Sequence, residues 1–333
     1  MPTRRSTKYL TGYLSLEMSA SLSTAAAEGA YCDLGSLIEQ RLAAKKLDLG
    51  QRKRALNLLS GPNKSNFRGR GIDFEEVRAY QPGDDIRTID WRITARTGTA
   101  HTKLFREERE RQVLVAIDQR CSMFFGSQHC CKSVLAGHLG ALLSWAALQR
   151  GDRLGGLVFS DTEHREIRPR RSRRSVLALL QATCDMNAAL PGQASRDEGR
   201  LAEILTDLRR IARPGSSLFI ISDFSGALAP EALEQIHQLA RHLEITAMHC
   251  SDPLEEALPA AGRYSVTDGS TRSALHTGDS RLQDAFAQQF QRQLDALQQG
   301  YGRLGIPIIR ARTNDSPLGL LQAYYGEAGG LRR

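Results

Sequence analysis

The sequence is poor in aromatic residues and contains no long apolar run. Phe, Trp and Tyr make up 6% of the 333 residues, and no window holds 18 uninterrupted apolar residues. Because a membrane-spanning helix needs about 20 such residues, we expect no membrane span. Hydrophobic residues account for 41% and charged residues for 25% of the chain. This composition is typical of a globular protein of one or two domains, not of a disordered or fibrous chain.

The short motifs of common metal and catalytic sites are also missing. There is no CxxC, HExxH or GxSxG motif, which disfavours zinc sites and serine-hydrolase chemistry. The six cysteines are irregularly spaced, so a reduced, cytoplasmic protein is favoured over a disulfide scaffold. Polar residues interrupt the apolar part of residues 1–30. We therefore expect an N-terminal arm there and not a cleaved signal.

The net charge of +8 arises from 45 Lys and Arg against 37 Asp and Glu. Acidic residues accompany the basic ones almost everywhere, so we expect no nucleic-acid partner. One stretch differs, with five arginines in seven residues: Arg168, Arg170, Arg171, Arg173 and Arg174. A solvated loop before a helix explains this stretch, and a docking site for an acidic protein surface is the alternative. No aromatic residues interleave to stack on single-stranded nucleic acid.

Hydrophobic patterning divides the rest of the chain into two parts. Residues 31–112 are predicted to hold a helical pattern over 33–60 and then a charged β-rich module, with strands over 72–80, 88–94 and 102–105. Over residues 113–325, strands alternate with helices, which indicates an α/β domain. Its continuous apolar strands predict a Rossmann-like, mostly parallel sheet with helices on both faces, and a short antiparallel strand over 164–168.

Two aspartates follow buried strands of this α/β domain. Asp118 ends the apolar run 113–117, and Asp223 follows the run 218–222. If the strand order is 3-2-1-4-5-6, these strands are neighbours at the point where ligands bind in such sheets. Two carboxylates facing one crevice repel each other, so a cation between them is expected. Mg²⁺ would suit oxygen ligands of this kind.

This arrangement resembles the metal-ion-dependent adhesion site of von Willebrand factor type A domains. Those sites combine an Asp after the first strand, hydroxyls two and four residues later, and a second Asp after the fourth strand. Asp118, Ser122 and Asp223 match the pattern, but Arg120 occupies the first hydroxyl position. The Thr that another loop usually supplies has no clear counterpart, and Ser195 is a poor candidate. The resemblance therefore implies a degenerate site.

A longer match resembles the bacterial "domain of unknown function 58" family. It comprises RGRGIDFEEVRAYQPGDDIRTIDW over residues 68–91, TARTG over 94–98, KLFREE over 103–108, DPLE over 252–255 and LP over 258–259. The resemblance implies a von Willebrand factor A-type domain preceded by a β-rich module. It also implies a non-enzymatic, chaperone-like or regulatory adaptor that acts with a MoxR-type AAA+ ATPase. Within the first motif, Asp84, Asp85, Arg87, Asp90 and Trp91 are interpreted as structural, because ion-paired turns explain their mixed charges.

Arg120 leaves three readings of the crevice open. A guanidinium is permanently charged and can bridge two carboxylates, so Arg120 could replace the metal between Asp118 and Asp223. Alternatively, Asp118, Ser122 and Asp223 bind Mg²⁺ weakly, or these residues only cap the strand ends. An Arg-filled crevice corresponds to a metal-free adaptor with no cofactor. A weak Mg²⁺ site corresponds to an Mg²⁺-dependent ligand-binding domain.

A phosphoester or nucleotide hydrolase is the second alternative function. Residues 126–133 resemble a P-loop in following a strand and opening a helix with Lys132-Ser133. The position before Lys132 is Cys131, however, where phosphate-binding loops need Gly. Lys132 is therefore interpreted as a solvated residue or as one that holds the loop.

Overall fold

The computed structural model describes residues 26–51, 72–81, 89–107, 111–190, 199–267 and 272–326. The chain divides into two compact units. Asn66–Arg111 form the smaller unit, and Met1–Ser65 with Gln112–Arg333 form the larger one. Within the described ranges, no helix combines the length and apolar character needed to cross a bilayer.

The described strands are β1 (Ile72–Ala79), β2 (His101–Glu107), β3 (Gln112–Asp118), β4 (Arg153–Phe159), β5 (His164–Arg170), β6 (Ser217–Ser222), β7 (Glu244–Ser251), β8 (Arg263–Thr267), β9 (Arg272–His276) and β10 (Ile308–Arg312). The described helices are α1 (Leu34–Ala43), α2 (Trp91–Thr97), α3 (Lys132–Arg150), α4 (Arg173–Ala189), α5 (Arg200–Ile211), α6 (Pro230–Ala240), α7 (Pro253–Glu256), α8 (Ser280–Arg303) and α9 (Pro317–Tyr325).

The larger unit is built on a six-stranded sheet in the order β10-β7-β6-β3-β4-β5. All neighbouring pairs are parallel except β4 and β5, which are antiparallel. Counted within this sheet and read from β5, the order is 3-2-1-4-5-6, the order that places the strands ending near Asp118 and Asp223 side by side. The α/β class with a mostly parallel sheet is therefore confirmed. The central strands are buried on both faces, which explains why they are continuous apolar runs.

Helices cover both faces of this sheet. α3 lies against one face and is buried over almost its whole length, with α1, α4 and α9 packed in the same apolar cluster. α5, α6 and the second half of α8 form the cluster on the other face. The sheet therefore holds its strand ends rigidly between two apolar layers, and the loops at those ends carry the polar residues.

Helix α1 packs within the larger unit. The Trp145 indole of α3 donates a hydrogen bond of 3.1 Å to the Leu37 carbonyl of α1, and Leu37 is buried. The sequence predicts this helical segment as part of the charged module, whereas its described contacts include α3 and α4 of the larger unit. The helical pattern predicted over 33–60 is α1 followed by two short 3₁₀ turns, Ala44–Lys46 and Leu49–Gln51, and residues 52–60 lie outside the described residues.

The smaller unit contains an antiparallel pair of strands, β1 and β2, and helix α2 between them. The strand predicted over 88–94 is wrong, because α2 begins at Trp91. The Asp90 side chain accepts hydrogen bonds from the backbone amides of Arg92 and Ile93, and Gly98 ends the helix in the left-handed conformation at φ 73°. These two caps override the strand preference of the β-branched residues in this segment.

Candidate functional site

The two strand-end carboxylates lie at the same edge of the sheet. Asp118 is the last residue of β3, and Asp223 directly follows β6, its neighbour in the sheet. Ser222 links the two ends, because its hydroxyl donates a hydrogen bond of 2.6 Å to Asp118 Oδ2. Asp118 is fully buried, and the Asp223 side chain is 10% exposed. The crevice is therefore a nearly closed acidic pair at the carboxyl ends of two parallel strands.

Arg120 lies between these carboxylates. Its Nε is 3.1 Å from both oxygens of Asp118, and its Nη2 is 2.8 Å from Asp118 Oδ2 and 3.4 Å from Asp223 Oδ1. Nη1 donates to the carbonyl of Ser225 at 3.1 Å, and the guanidinium carbon is 5.8 Å from the centre of the Phe159 ring. The side chain is 3% exposed. Arg120 thus occupies the space between the acids as an internal cation.

Lys132 supplies a second cation from the first turn of α3. Its Nζ is 3.3 Å from Asp223 Oδ2 and 2.7 Å from Glu255 Oε1 of α7. The reading of Lys132 as a solvated residue is wrong, because it is only 2% exposed. Its backbone amide donates to the carbonyl of Phe125 at 2.8 Å. Lys132 therefore ties the loop after β3, the loop after β6 and α7 together.

Two buried cations oppose the buried carboxylates of the crevice. Burial alone would raise the pKa of the Asp223 carboxyl, but Lys132 and Arg120 outweigh that effect and hold the pKa below its usual value. Burial raises the pKa of Asp118, and Arg120 opposes the shift. Although burial acts to lower the pKa of the Arg120 guanidinium, Asp118 and the other acids raise it above its ordinary value. Arg120 and Lys132 thus set buried positive charge against Asp118 and Asp223, with the partly exposed Glu255 as a third carboxylate on Lys132. The two cations reduce the negative charge that would attract a metal ion.

Ser122 is the one hydroxyl of the adhesion-site pattern present in the chain. It lies in a 3₁₀ turn, Cys121–Met123, directly after Arg120. Its buried Oγ makes no hydrogen bond of standard geometry within the described residues, yet it faces Asp223 and helps to lower the pKa of that carboxyl. Ser122 is therefore an available oxygen beside an acid. No group of three or more His, Cys, Asp or Glu side chains in the described part of the chain has a metal-binding arrangement.

The structure thus brings together Asp118, Arg120, Ser122 and Asp223, the four crevice residues that the sequence analysis named. Sequence reasoning did not identify Ser222 or Glu255, and it assigned Lys132 no contact with Asp223. Ser222 directly precedes Asp223, and this position at the end of the same strand could have identified it as a crevice residue. Glu255 lies 123 positions from Lys132, so local pattern carried no sign of that contact.

The arginine-rich stretch is not a simple loop. Arg168 and Arg170 belong to the edge strand β5, and α4 begins at Arg173 after the Ser172 side chain caps it. Arg168, Arg170, Arg171, Arg173 and Arg174 are all exposed. The stretch therefore presents a basic surface at the β5 edge of the sheet. In the strand order, β3 and β4 separate this edge from β6, the strand that Asp223 follows.

The family-motif residues lie in the smaller unit. Asp90 caps α2, and Trp91, its first residue, is 68% exposed. Asp84, Asp85 and Arg87 lie outside the described residues. A structural role for Asp90 at the start of α2 follows from its two hydrogen bonds to backbone amides.

Relatives of this chain include proteins described only as uncharacterised. Uncharacterised proteins of Mycobacterium bovis and Mycobacterium tuberculosis are 28% identical over 283 residues, which are 84% of this chain and 87% of each relative. Among solved structures, BatB from Bacteroides thetaiotaomicron, described as a conserved hypothetical protein, matches 64% of this chain and 96% of its own length at 14% identity and a TM-score of 0.39. A von Willebrand factor type A structure from Catenulispora acidiphila matches 45% of this chain and 35% of its own length at 11% identity and a TM-score of 0.28.

Residues 76–296, about two thirds of the chain, match the family described as "Protein of unknown function DUF58". That span includes the helix cap at Asp90, the crevice residues Asp118, Arg120 and Asp223, and Lys132 with its partner Glu255. The chain therefore belongs to the DUF58 family.

Proposed function

We propose that this protein is a non-enzymatic, metal-independent adaptor that binds other proteins and acts with a MoxR-type AAA+ ATPase. The observation that carries the proposal is the internal occupation of the crevice. Arg120 contacts Asp118 and the Oδ1 atom of Asp223, and Lys132 contacts the other carboxylate oxygen of Asp223, Oδ2. An adhesion-type metal site needs those same oxygen atoms for the ion.

A divalent ion would have to displace a buried side chain. Arg120 donates three hydrogen bonds to Asp118, and separating one partner from a buried ion pair costs about 3–5 kcal/mol. Mg²⁺ also gives up its hydration shell reluctantly and is usually held by only one or two carboxylates. Metal-dependent ligand capture is therefore disfavoured at this crevice.

Exposed apolar side chains around the same edge favour a protein partner. Phe125, in the loop after β3, is 41% exposed, and Leu228, in the loop after β6, is also 41% exposed. Tyr31 is 53% exposed and packs on Phe124 with ring centres 5.6 Å apart. Large apolar residues grouped on loops around a rigid strand edge are typical of protein-binding surfaces. We therefore take Tyr31, Phe125 and Leu228 as the docking rim.

The ATPase partnership derives from the family resemblance and is compatible with the basic edge. The five exposed arginines from Arg168 to Arg174 offer charge complementarity to an acidic face of an ATPase ring. They do not interleave with aromatic residues, which disfavours single-stranded nucleic acid as the ligand.

The contacts of Lys132 disfavour the hydrolase alternative. A phosphate-binding loop needs a Lys that is free to reach the ligand phosphates, whereas this ammonium group is held by Asp223 and Glu255. An Mg²⁺-dependent ligand-binding domain is the second candidate, and the unpaired Ser122 hydroxyl beside Asp223 is the observation that favours it.

The test combines a pulldown with calorimetry. The full chain should capture a co-encoded MoxR-type ATPase, and Phe125→Glu with Leu228→Glu should abolish capture. Leu42→Glu, at an exposed leucine of α1 (56% exposed), is the matched control and should leave capture intact. Calorimetric titration of Mg²⁺ into the full chain should show no binding that depends on Asp118. The wild type and Asp118→Asn should therefore give the same heats. Tight, Asp118-dependent Mg²⁺ binding would replace this proposal with the second candidate.

A further inference from the structure

A groove separate from the Asp118–Asp223 crevice lies between helix α8 and strand β10. It has a volume of about 400 Å³ and is partly open to solvent. Its lining consists of Glu256 at the end of α7, four residues of α8 and two arginines of β10: Glu256, Ala287, Gln288, Phe290, Gln291, Arg310 and Arg312. β10 is an edge strand of the described sheet, so no further described strand pairs with it on its outer side.

The groove has a surplus of positive charge. Arg310 Nη2 lies 3.0 Å from Glu256 Oε1, and Arg312 donates to both Glu256 oxygens at 2.9 and 2.6 Å. Two guanidinium groups thus share one carboxylate. Among the described residues, Arg310 Nε has no hydrogen-bond partner. The side chains of Arg310 and Arg312 are nevertheless 35% and 44% exposed. Asp315 also acts on Arg312, but the exposed parts of the two guanidinium groups can still pair with a second carboxylate.

The first half of α8 carries an apolar stripe, of which Phe290 also lines the groove. The buried residues of α8 are Leu294, Leu297 and Tyr301, all in its second half. Leu282, Phe286 and Phe290 follow one another at intervals of four residues and therefore lie on one side of the helix. Leu282 is 39% exposed, and the two phenylalanines are partly exposed. We call these three residues the α8 stripe, which spans about 12 Å of helix.

The sheet positions the arginine end of the groove. Arg310 pairs in register with His249 of β7, and His249 pairs with Ser222 of β6. The His249 ring lies 6.2 Å from the Phe290 ring of the α8 stripe. Because side chains in register on parallel strands face the same side, the groove lies on the sheet face that also carries Ser222. Its charged end is therefore held by strands and not by a mobile loop.

We propose that this groove binds an acidic segment of a partner protein. A partner carboxylate would pair with Arg310 and Arg312, and an apolar side chain next to it would pack on the α8 stripe. A small free anion would use only the arginine end, whereas an extended segment uses both the charge and the adjoining apolar surface. The inference stands on these contacts alone and does not depend on the ATPase partnership or on the state of the crevice.

Fluorescence anisotropy of labelled peptides on the full chain tests the proposal. The probe is three repeats of Gly-Ser-Glu-Leu, and the matched peptides carry Gln or Lys in place of Glu. We expect binding of the Glu peptide only, and an affinity about tenfold lower in the double variant Arg310→Gln/Arg312→Gln. Ala287→Glu, which places a carboxylate in the groove, should weaken binding by a similar factor. Glu256→Gln removes the competing carboxylate and should strengthen it.

Arg303→Gln is the matched control, because Arg303 is an exposed arginine of the same helix outside the groove lining. Thermal melts of each variant establish that it is folded before its affinity is compared. The proposal is overturned if the Glu peptide binds no better than the Gln peptide, or if Arg303→Gln weakens binding as much as the groove variants. Displacement of the peptide by free glutarate at equal carboxylate concentration would assign the groove to a small carboxylate and overturn the peptide assignment.

Discussion

The guanidinium of Arg120 and the carboxylate of Asp118 are paired through three hydrogen bonds of 2.8 to 3.1 Å. The side chains are 3% and 0% exposed, so neither charge has water as an alternative partner. The pair stands where the adhesion-site pattern has a hydroxyl and a metal ion. Replacement of this one arginine should therefore change both the stability of the fold and its affinity for divalent ions.

Arg120→Met should destabilise the protein. Methionine retains much of the side-chain volume but leaves the buried Asp118 and Asp223 without their shared cation, and we expect the free energy of unfolding to fall by about 3–5 kcal/mol. Urea denaturation at pH 7 measures it. The exposed arginine at the start of β4 supplies the control, Arg153→Met, which should change stability by less than about 0.5 kcal/mol. An equal loss in both variants would contradict a special role for Arg120.

Arg120→Ser should create affinity for Mg²⁺. The substitution removes the internal cation and restores a hydroxyl two residues after Asp118, with Ser122 two residues further on. Mg²⁺ should then raise the melting temperature of Arg120→Ser more than that of the wild type, because only the folded state offers the ion a site. Arg120→Ala, which lacks the hydroxyl, should respond less, and adding Asp118→Asn should remove the response. The idea fails if Mg²⁺ shifts all variants equally.

His249 should make stability depend on pH on the acid side of neutrality. Burial lowers its pKa to about 4, against an ordinary value of about 6.5. The unfolded chain therefore binds the proton more readily, and the free energy of unfolding should fall as the pH drops from about 6.5 to about 4, by at most about 1.4 kcal/mol per pH unit for this residue. Above that window the residue contributes no slope. His138, whose pKa burial also lowers to about 4, adds a similar slope.

His249→Phe should flatten this dependence. The ring would remain packed between Phe224 and Phe290 but would not titrate. Denaturant unfolding between pH 4 and 7 gives the slope, and Phe290→Leu is the control that alters packing at the same place without removing a titrating group. If His249→Phe and the wild type show the same slope, the buried imidazole does not titrate as described.

Lys132→Gln should reduce stability without affecting nucleotide affinity. The variant leaves Asp223 with Arg120 as its remaining buried partner and breaks the contact to Glu255, so we expect a loss of about 3 kcal/mol. Calorimetric titration with ATP should give no heat of binding with either protein. ATP binding by the wild type that Lys132→Gln abolishes would instead favour a nucleotide site.

If the proposed partnership with a MoxR-type ATPase holds, charge reversal in the arginine-rich stretch should weaken the binding of that ATPase. Arg170→Glu with Arg171→Glu replaces two positive charges by two negative ones on an exposed surface, so we expect affinity to fall by about tenfold or more without loss of folding. Surface plasmon resonance with the ATPase immobilised measures this effect and its salt dependence. Arg209→Glu with Arg213→Glu, at exposed positions, makes the same charge change elsewhere. An identical affinity for both double variants would remove this stretch from the interface.

Local pattern in the sequence was sufficient to predict most of the α/β unit. Continuous apolar runs such as β3 and β6 predict strands buried on both faces, and the helices between them make a parallel sheet the natural arrangement. The strand over 88–94 was predicted wrongly because the caps at Asp90 and Gly98, and not the average preference of the intervening residues, set the helix there.

By itself, the sequence determined the fold class and placed an arginine two residues after Asp118, at the end of a buried strand. Only the tertiary structure decided that the strand order makes Asp118 and Asp223 neighbours, that Lys132 turns inward to Asp223 and Glu255, and that Arg310 and Arg312 meet Glu256. The physical reason is the separation in sequence between the residues that interact. Periodicity and capping act over a few residues, whereas these ion pairs join side chains that are 54 to 123 positions apart. Such contacts form only after the sheet has set the register of its strands and the helices have packed on its two faces.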